Sequence, residues 1–169
     1  MQAPLRVVVL LNASAGALQA EGGAALGHTV MAAFRRHRIA ATLEILHAPD
    51  LDAAAMRAAQ RAHNREIDAI VVGGGDGSIR TVAQVLAGSG VPLGILPLGT
   101  LNHFARDLGV PLTVDGAVAL IAAGATRRID LGEANGEIFE AMSPSQRWRG
   151  QMLKLSSQGV NLTVAIGLA

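Results

Sequence analysis

Gly73-Gly74-Gly75-Asp76-Gly77-Ser78 sets four glycines around one carboxylate and ends in a hydroxyl. An apolar run closing at Val72 leads into it, and a helical pattern, Ser78 to Leu86, follows at once. Glycines at a strand-to-helix turn let backbone N–H groups approach an anion closely, and the helix N-terminus adds partial positive charge. A carboxylate there would repel phosphate unless it helps to hold a divalent cation. A tight turn accounts for the glycines alone; the added Asp76 favours a metal–nucleotide phosphate site. Two other phosphate loops are excluded. The dinucleotide fingerprint G-x-G-x-x-G fails because Ser78 takes its last position, and a P-loop needs a lysine where this chain has none before Lys154. The strand lysine of protein kinases is missing for the same reason. Phosphate must then be held by backbone amides, hydroxyls, arginine or metal.

Two further loops carry the same kind of chemistry. Pro97-Leu98-Gly99-Thr100-Leu101-Asn102-His103-Phe104-Ala105-Arg106-Asp107-Leu108-Gly109 follows a strand-like run and places glycine and hydroxyl before a short helix, with Asn102 as a candidate N-cap. Asn12-Ala13-Ser14-Ala15-Gly16 follows the apolar run Val7–Leu11. Three glycine-bearing polar loops, each at the carboxyl end of a strand, are what a nucleotide-binding doubly wound fold presents along one edge.

The elements that must position these loops alternate along the chain. Strands are expected near 5–11, 41–47, 68–73, 91–96 and 126–131, and helices near 22–37, 51–64, 78–87, 102–108 and 113–123. This pattern predicts an α/β, doubly wound, mostly parallel sheet with helices on both faces. Arg57, Arg61 and Arg65 read as one solvated helix face, and Arg35, Arg36 and Arg38 as cations at a helix C-terminus. A membrane-surface role for either cluster is the weaker alternative.

The motifs Gly73–Ser78, Pro97–Gly109 and Asn12–Gly16 together resemble the catalytic domain of diacylglycerol kinases, which bacterial lipid kinases and sphingosine and ceramide kinases share. Ile129-Asp130-Leu131-Gly132 resembles the start of that family's crossing into its second domain, so the resemblance covers about residues 5 to 140. It implies a phosphofructokinase-like nucleotide-binding domain, ATP and Mg²⁺ as cofactors, and transfer of phosphate to a lipid hydroxyl at a membrane surface, with diacylglycerol as the default acceptor. Carried over residue by residue, it implies backbone contacts to ATP phosphates around Gly74, Gly75 and Gly77, flanked by Gly73 and Ile79, with the Ser78 hydroxyl added. Asp76 would act as the catalytic carboxylate through Mg²⁺, directly or through water. Asn12, Ala13, Ser14, Ala15 and Gly16 would line the nucleotide site, as would Thr100 and Asn102. His47 stands where relatives often carry a threonine that contacts nucleotide. His28 and His103 read as structural or surface residues, and Asp107 as a helix-terminal or salt-bridging one. The general base is expected from the family's second domain, so none is assigned.

Residues 141–169 lose the family's pattern. The expected organisation is therefore a nucleotide-binding domain over 1–140, a divergent tail over 141–169, and no β-rich second domain. Glu137–Glu140 still resembles the family's next strand, and Val160–Ile166 could form one late strand of no evident place. A homo-oligomer, or a partner supplying the missing half, stays open. At 169 residues the chain is long enough for one core; half its residues are apolar and only 2% aromatic, so that core must be aliphatic. Fourteen basic against thirteen acidic residues give no support for nucleic-acid binding. The lack of cysteine removes disulfides and thiol chemistry, and no apolar run approaches the length of a membrane span. Arg6, Val7–Leu11 and Ala13–Ala15 mimic a signal peptide in outline only. The run is too short, and the cytoplasm is the expected compartment. Two other readings stand beside the lipid kinase: a kinase of a soluble acceptor, since NAD kinases and 6-phosphofructokinases share a GGDG-type loop, and a nucleotide-binding fragment without catalysis.

Overall fold

The computed structural model describes residues 4–134, 137–140 and 160–165. Its elements are β1 (Arg6–Asn12), α1 (Gly16–Glu21), α2 (Gly23–Arg36), β2 (Ala40–Leu46), α3 (Leu51–His63), β3 (Ala69–Gly74), α4 (Asp76–Leu86), β4 (Leu93–Pro97), α5 (His103–Asp107), α6 (Val114–Ala122), β5 (Thr126–Ala134), β6 (Glu137–Glu140) and β7 (Val160–Ala165). One seven-stranded sheet runs in the order β2-β1-β3-β4-β7-β5-β6. The pairs β2–β1, β1–β3, β3–β4 and β4–β7 are parallel; β5 runs antiparallel to both β7 and β6.

Each central strand is apolar without alternation because both of its faces are covered. Val7–Leu11 and Ile70–Val72 are at most 1% exposed. The covering helices are apolar on one side: Leu26, Val30, Ala33 and Phe34 on α2, Ala54, Ala55 and Ala58 on α3, Ile79, Val82, Ala83 and Leu86 on α4, and Ala117, Val118 and Ile121 on α6. From β1 the chain turns outward through α2 to β2, then reverses through α3 and α4 to β3 and β4. Right-handed crossovers in opposite directions put α2 on one face and α3 with α4 on the other. α6 packs on β4 and against α2. Among the described residues the core is aliphatic as expected, with Phe34 the largest fully buried side chain. Gly94 brings α6 close to β4, since an added Cβ would lie 2.8 Å from Ile121 Cδ1.

The register sets the site. Leu11 pairs with Gly73 and Gly74 with Pro97, so β1, β3 and β4 finish at one edge of the sheet. The strand order reverses between β1 and β3, the point where doubly wound sheets bind ligands. Near the opposite edge, Asp68 accepts hydrogen bonds from Arg6 Nη2 and from the Arg6 backbone N–H, both at 2.8 Å. Hydrogen bonding to Arg6 is the main cause that lowers the Asp68 pKa below the ordinary aspartate range.

Three local features depart from the expected pattern. α1 was not legible in the sequence. α4 starts at Asp76 rather than Ser78, because Gly75 is extended and serves as N-cap. Arg65 lies beyond α3 with φ 60°, so the arginine stripe is broken: Arg57 pairs with Glu44, Arg61 with Glu66, and Arg65 supplies a carbonyl to Arg6. Of the expected tail, only 160–165 falls within the described residues. Those residues form β7, inserted between β4 and β5. Among the described residues no helix is long and apolar enough to cross a membrane.

Candidate functional site

Asn12 ends β1 and folds the loop after it. Its Oδ1 accepts the Ser14 N–H at 2.9 Å, and its carbonyl accepts the Ala15 N–H at 2.9 Å. This is a turn that a short amide side chain makes readily. The Asn12 Nδ2 then reaches across the sheet edge to Ser78 Oγ, at 2.7 Å. The Ala13 N–H donates to the Leu46 carbonyl, tying the loop to β2. The Asn12 side chain thus ties the first loop to the start of α4.

Asp76 opens α4 but faces α5. Its two carboxylate oxygens accept the backbone N–H groups of His103 (3.2 Å) and Phe104 (3.0 Å). Those are among the orphan donors that every helix N-terminus presents. Asn102 occupies the N-cap position of α5 yet makes no cap, which corrects the expectation drawn from its residue type. It is left-handed at φ 52°, and its side chain turns back, Oδ1 accepting from Gly99 N–H (2.9 Å) and Nδ2 donating to the Gly99 carbonyl (2.7 Å). Asn102 thereby shapes the Gly99–Thr100 turn, while Asp76 caps the helix across 27 residues of sequence.

Between the three loops lies an open cleft of about 350 Å³, lined by Asn12, Ser14, Ala15 and Gly16 from the first loop, by Gly75, Gly77, Ser78 and Thr81 from α4 and its entry, by Gly99 and Thr100, and by Ala48. Gly75 and Gly99 meet backbone to backbone there; a Cβ on Gly75 would lie 3.4 Å from the Gly99 Cα. The described lining residues are all uncharged, so an anion there would be held by backbone amides at the start of α4 and by hydroxyls. Gly77 is open, with nothing within 4 Å of an added Cβ. Thr81, Gly99 and Ala48 were missed by residue-level reasoning; Gly99 lay inside a motif already singled out, and Thr81 is the residue one helical turn beyond Gly77.

Other expected site residues fall outside this lining. Gly73 and Gly74 are buried at the end of β3, where an added Cβ on Gly73 would collide with Leu11 Cδ2 and crowd Leu98. Ile79 is fully buried in the core. Ala13 and His47 do not line the cleft; His47 is exposed and its neighbour Ala48 takes the position facing it. Asp76 and Asn102 stand behind the wall, organising it.

The model of the diacylglycerol kinase catalytic domain matches residues 6–134. The chain belongs to that family. Among curated relatives, the "Probable lipid kinase YegS-like" of Pseudomonas aeruginosa is 54% identical over 76 residues, 44% of this chain and 25% of that protein. The diacylglycerol kinase of Bacillus subtilis is 41% identical over 96 residues, 55% of this chain and 32% of that one. The structure of a diacylglycerol kinase from Bacillus anthracis superposes with a TM-score of 0.62 at 27% identity, covering 82% of this chain and 47% of the other. These matches span about a quarter to a half of the relatives' own length. Within the diacylglycerol kinase domain, the three loops that carry the resemblance are the ones that enclose the cleft.

Proposed function

We propose that this chain is the nucleotide-binding part of an ATP-dependent lipid kinase, which transfers the γ-phosphoryl group to a hydroxyl of a diacylglycerol-like lipid. The observation that carries this reading is the uncharged, amide-rich cleft at the switch point between β1 and β3, bounded by Gly75–Ser78. Its size suits a small-molecule ligand, and the first turn of α4 suits phosphate. Backbone N–H groups near Gly75 and Gly77 would contact phosphate, Ser78 and Thr100 would add hydroxyls, and the Asn12–Gly16 loop would hold the rest of the nucleotide.

Among the described residues no group of three His, Cys, Asp or Glu side chains could hold a metal by itself. Mg²⁺ bound through substrate phosphates needs only one or two carboxylates and water. Asp76, whose oxygens already accept the His103 and Phe104 N–H groups, would reach it with a remaining lone pair, directly or through water. When bound, Mg²⁺ neutralises charge on the phosphoryl group being transferred. ATP dependence puts this chemistry in the cytoplasm, with the protein peripheral at the membrane that holds its lipid.

Calorimetric titration with Mg·ATP, beside Asp76→Ala, tests the site. Binding by the wild type that is lost in the folded variant supports the assignment; a variant with full Mg·ATP affinity removes Asp76 from it. Labelled phosphate appearing in diacylglycerol micelles, and not in NAD or sugar phosphates, supports the lipid acceptor. One observation favours a second reading, nucleotide binding without transfer. No carboxylate or histidine is among the cleft's described lining residues to take the proton of an attacking hydroxyl. Mg·ATP binding with no transfer to any acceptor selects that reading.

A further inference from the structure

The contact between Asn12 and Ser78 has a direction. Asn12 Oδ1 accepts the Ser14 backbone N–H, which can only donate, so the other end of the amide must be the NH₂ group. That group faces Ser78 Oγ at 2.7 Å, and the serine oxygen is therefore the acceptor in this bond. A hydroxyl has one proton to give, and this bond does not use it. No hydrogen bond runs from Ser78 Oγ to the carbonyl one turn back, Gly74, which accepts the Leu98 N–H at 3.0 Å. Among the described residues Ser78 makes no other side-chain hydrogen bond. Ser78 is only 7% exposed, yet it lines the cleft.

Gly74 makes this arrangement possible. A Cβ there would lie 2.6 Å from both Cβ and Oγ of Ser78 and 3.5 Å from Asn12 Cβ. The buried glycine thus clears the space in which the two side chains meet, although it does not itself line the cleft.

We propose that Asn12 is a positioning residue: by donating to Ser78 Oγ it turns the serine proton towards the cleft, where it serves as a directed donor to an anionic phosphate oxygen. The inference rests on the phosphate-site reading above. Asn12 reaches the ligand's phosphates through Ser78, and its substitution has the same effect as removing the hydroxyl.

A double-mutant cycle in the full 169-residue chain tests this, with Mg·ATP and phosphate-free adenosine as the two probes. Asn12→Ala and Ser78→Ala should each weaken Mg·ATP binding about tenfold, the scale of one hydrogen bond to a charged group. The double variant should be no more than about threefold weaker than either single one. Adenosine affinity should stay unchanged in Ser78→Ala and fall much less than Mg·ATP affinity in Asn12→Ala, which also loses the Ser14 N–H bond that folds the loop; an equal fall for both probes is what loosening alone would give. If Asn12→Ala fails to fold, Asn12→Asp replaces it in the cycle, because its carboxylate still accepts the Ser14 N–H while accepting the serine proton and turning it from the cleft. Multiplicative losses of roughly a hundredfold, or adenosine affinity falling in parallel, overturn the relay. A folded wild type that binds adenosine but gains nothing from phosphates, or binds neither probe, overturns the phosphate-site reading itself.

Discussion

Neighbouring glycines in Gly73–Gly77 serve opposite ends. Gly73 is filled round by Leu11 and Leu98, whereas Gly77 stands open at the cleft wall. Gly73→Ala should cost about 1–3 kcal/mol by overpacking, read from urea unfolding. Gly77→Ala lies in the first turn of α4 and should leave stability equal or slightly raised, because alanine loses less backbone freedom there. Its methyl group should nevertheless weaken Mg·ATP binding, so the two variants separate packing from function in one pair of titrations. The loop's chemistry was legible from residue types: glycine, carboxylate and hydroxyl at a strand end. The division of labour among its glycines was not, because it depends on side chains 62 and 25 positions away, at Leu11 and Leu98.

At the scale of elements, a five-residue helix such as α5 is too short to persist on its own propensity. Asp76 supplies what Asn102 does not, so Asp76→Ala should speed amide hydrogen exchange at His103 and Phe104 while leaving exchange in β3 unchanged. Asp76→Asn keeps one acceptor and should fall between the two. Strands and long helices were legible because apolar runs end in glycine loops and apolar residues recur every three or four positions. The α5 cap was not, since its donor and acceptor belong to separate motifs. The brace between β1 and the approach to β3 makes a prediction about acid. Asp68 has a lowered folded pKa, so its contribution is fully present above its unfolded value of about 3.9 and is lost as pH falls through the folded value. Asp68→Asn should therefore flatten the stability curve in that acid window. The change should be small because both partners are partly solvated.

The molecule as a whole depends on a strand that its sequence pattern did not place. Leu162 and Val164 of β7 are fully buried, and β7 stands between β4 and β5 in the sheet. A chain stopped after Glu140 would leave β4 unpaired on one side and uncover apolar surface. Thermal unfolding of that variant should be lower in midpoint and broader than that of the full chain. Strand character at 160–166 was readable from local composition; its neighbours were not, because pairing between β4 and β7 joins residues some 70 positions apart.

That insertion also has a consequence for biosynthesis. The five residues of β4 are wholly apolar and buried in the finished sheet, but their second hydrogen-bonding edge waits for a strand made roughly 70 residues later. At about 5–20 residues per second, translation leaves this edge open for some 3–14 s. For that interval the nascent chain carries a hydrophobic strand able to pair with a neighbour's, the situation in which chaperones are most needed. Its yield in the cell should be limited by that interval more than by the stability of the folded sheet.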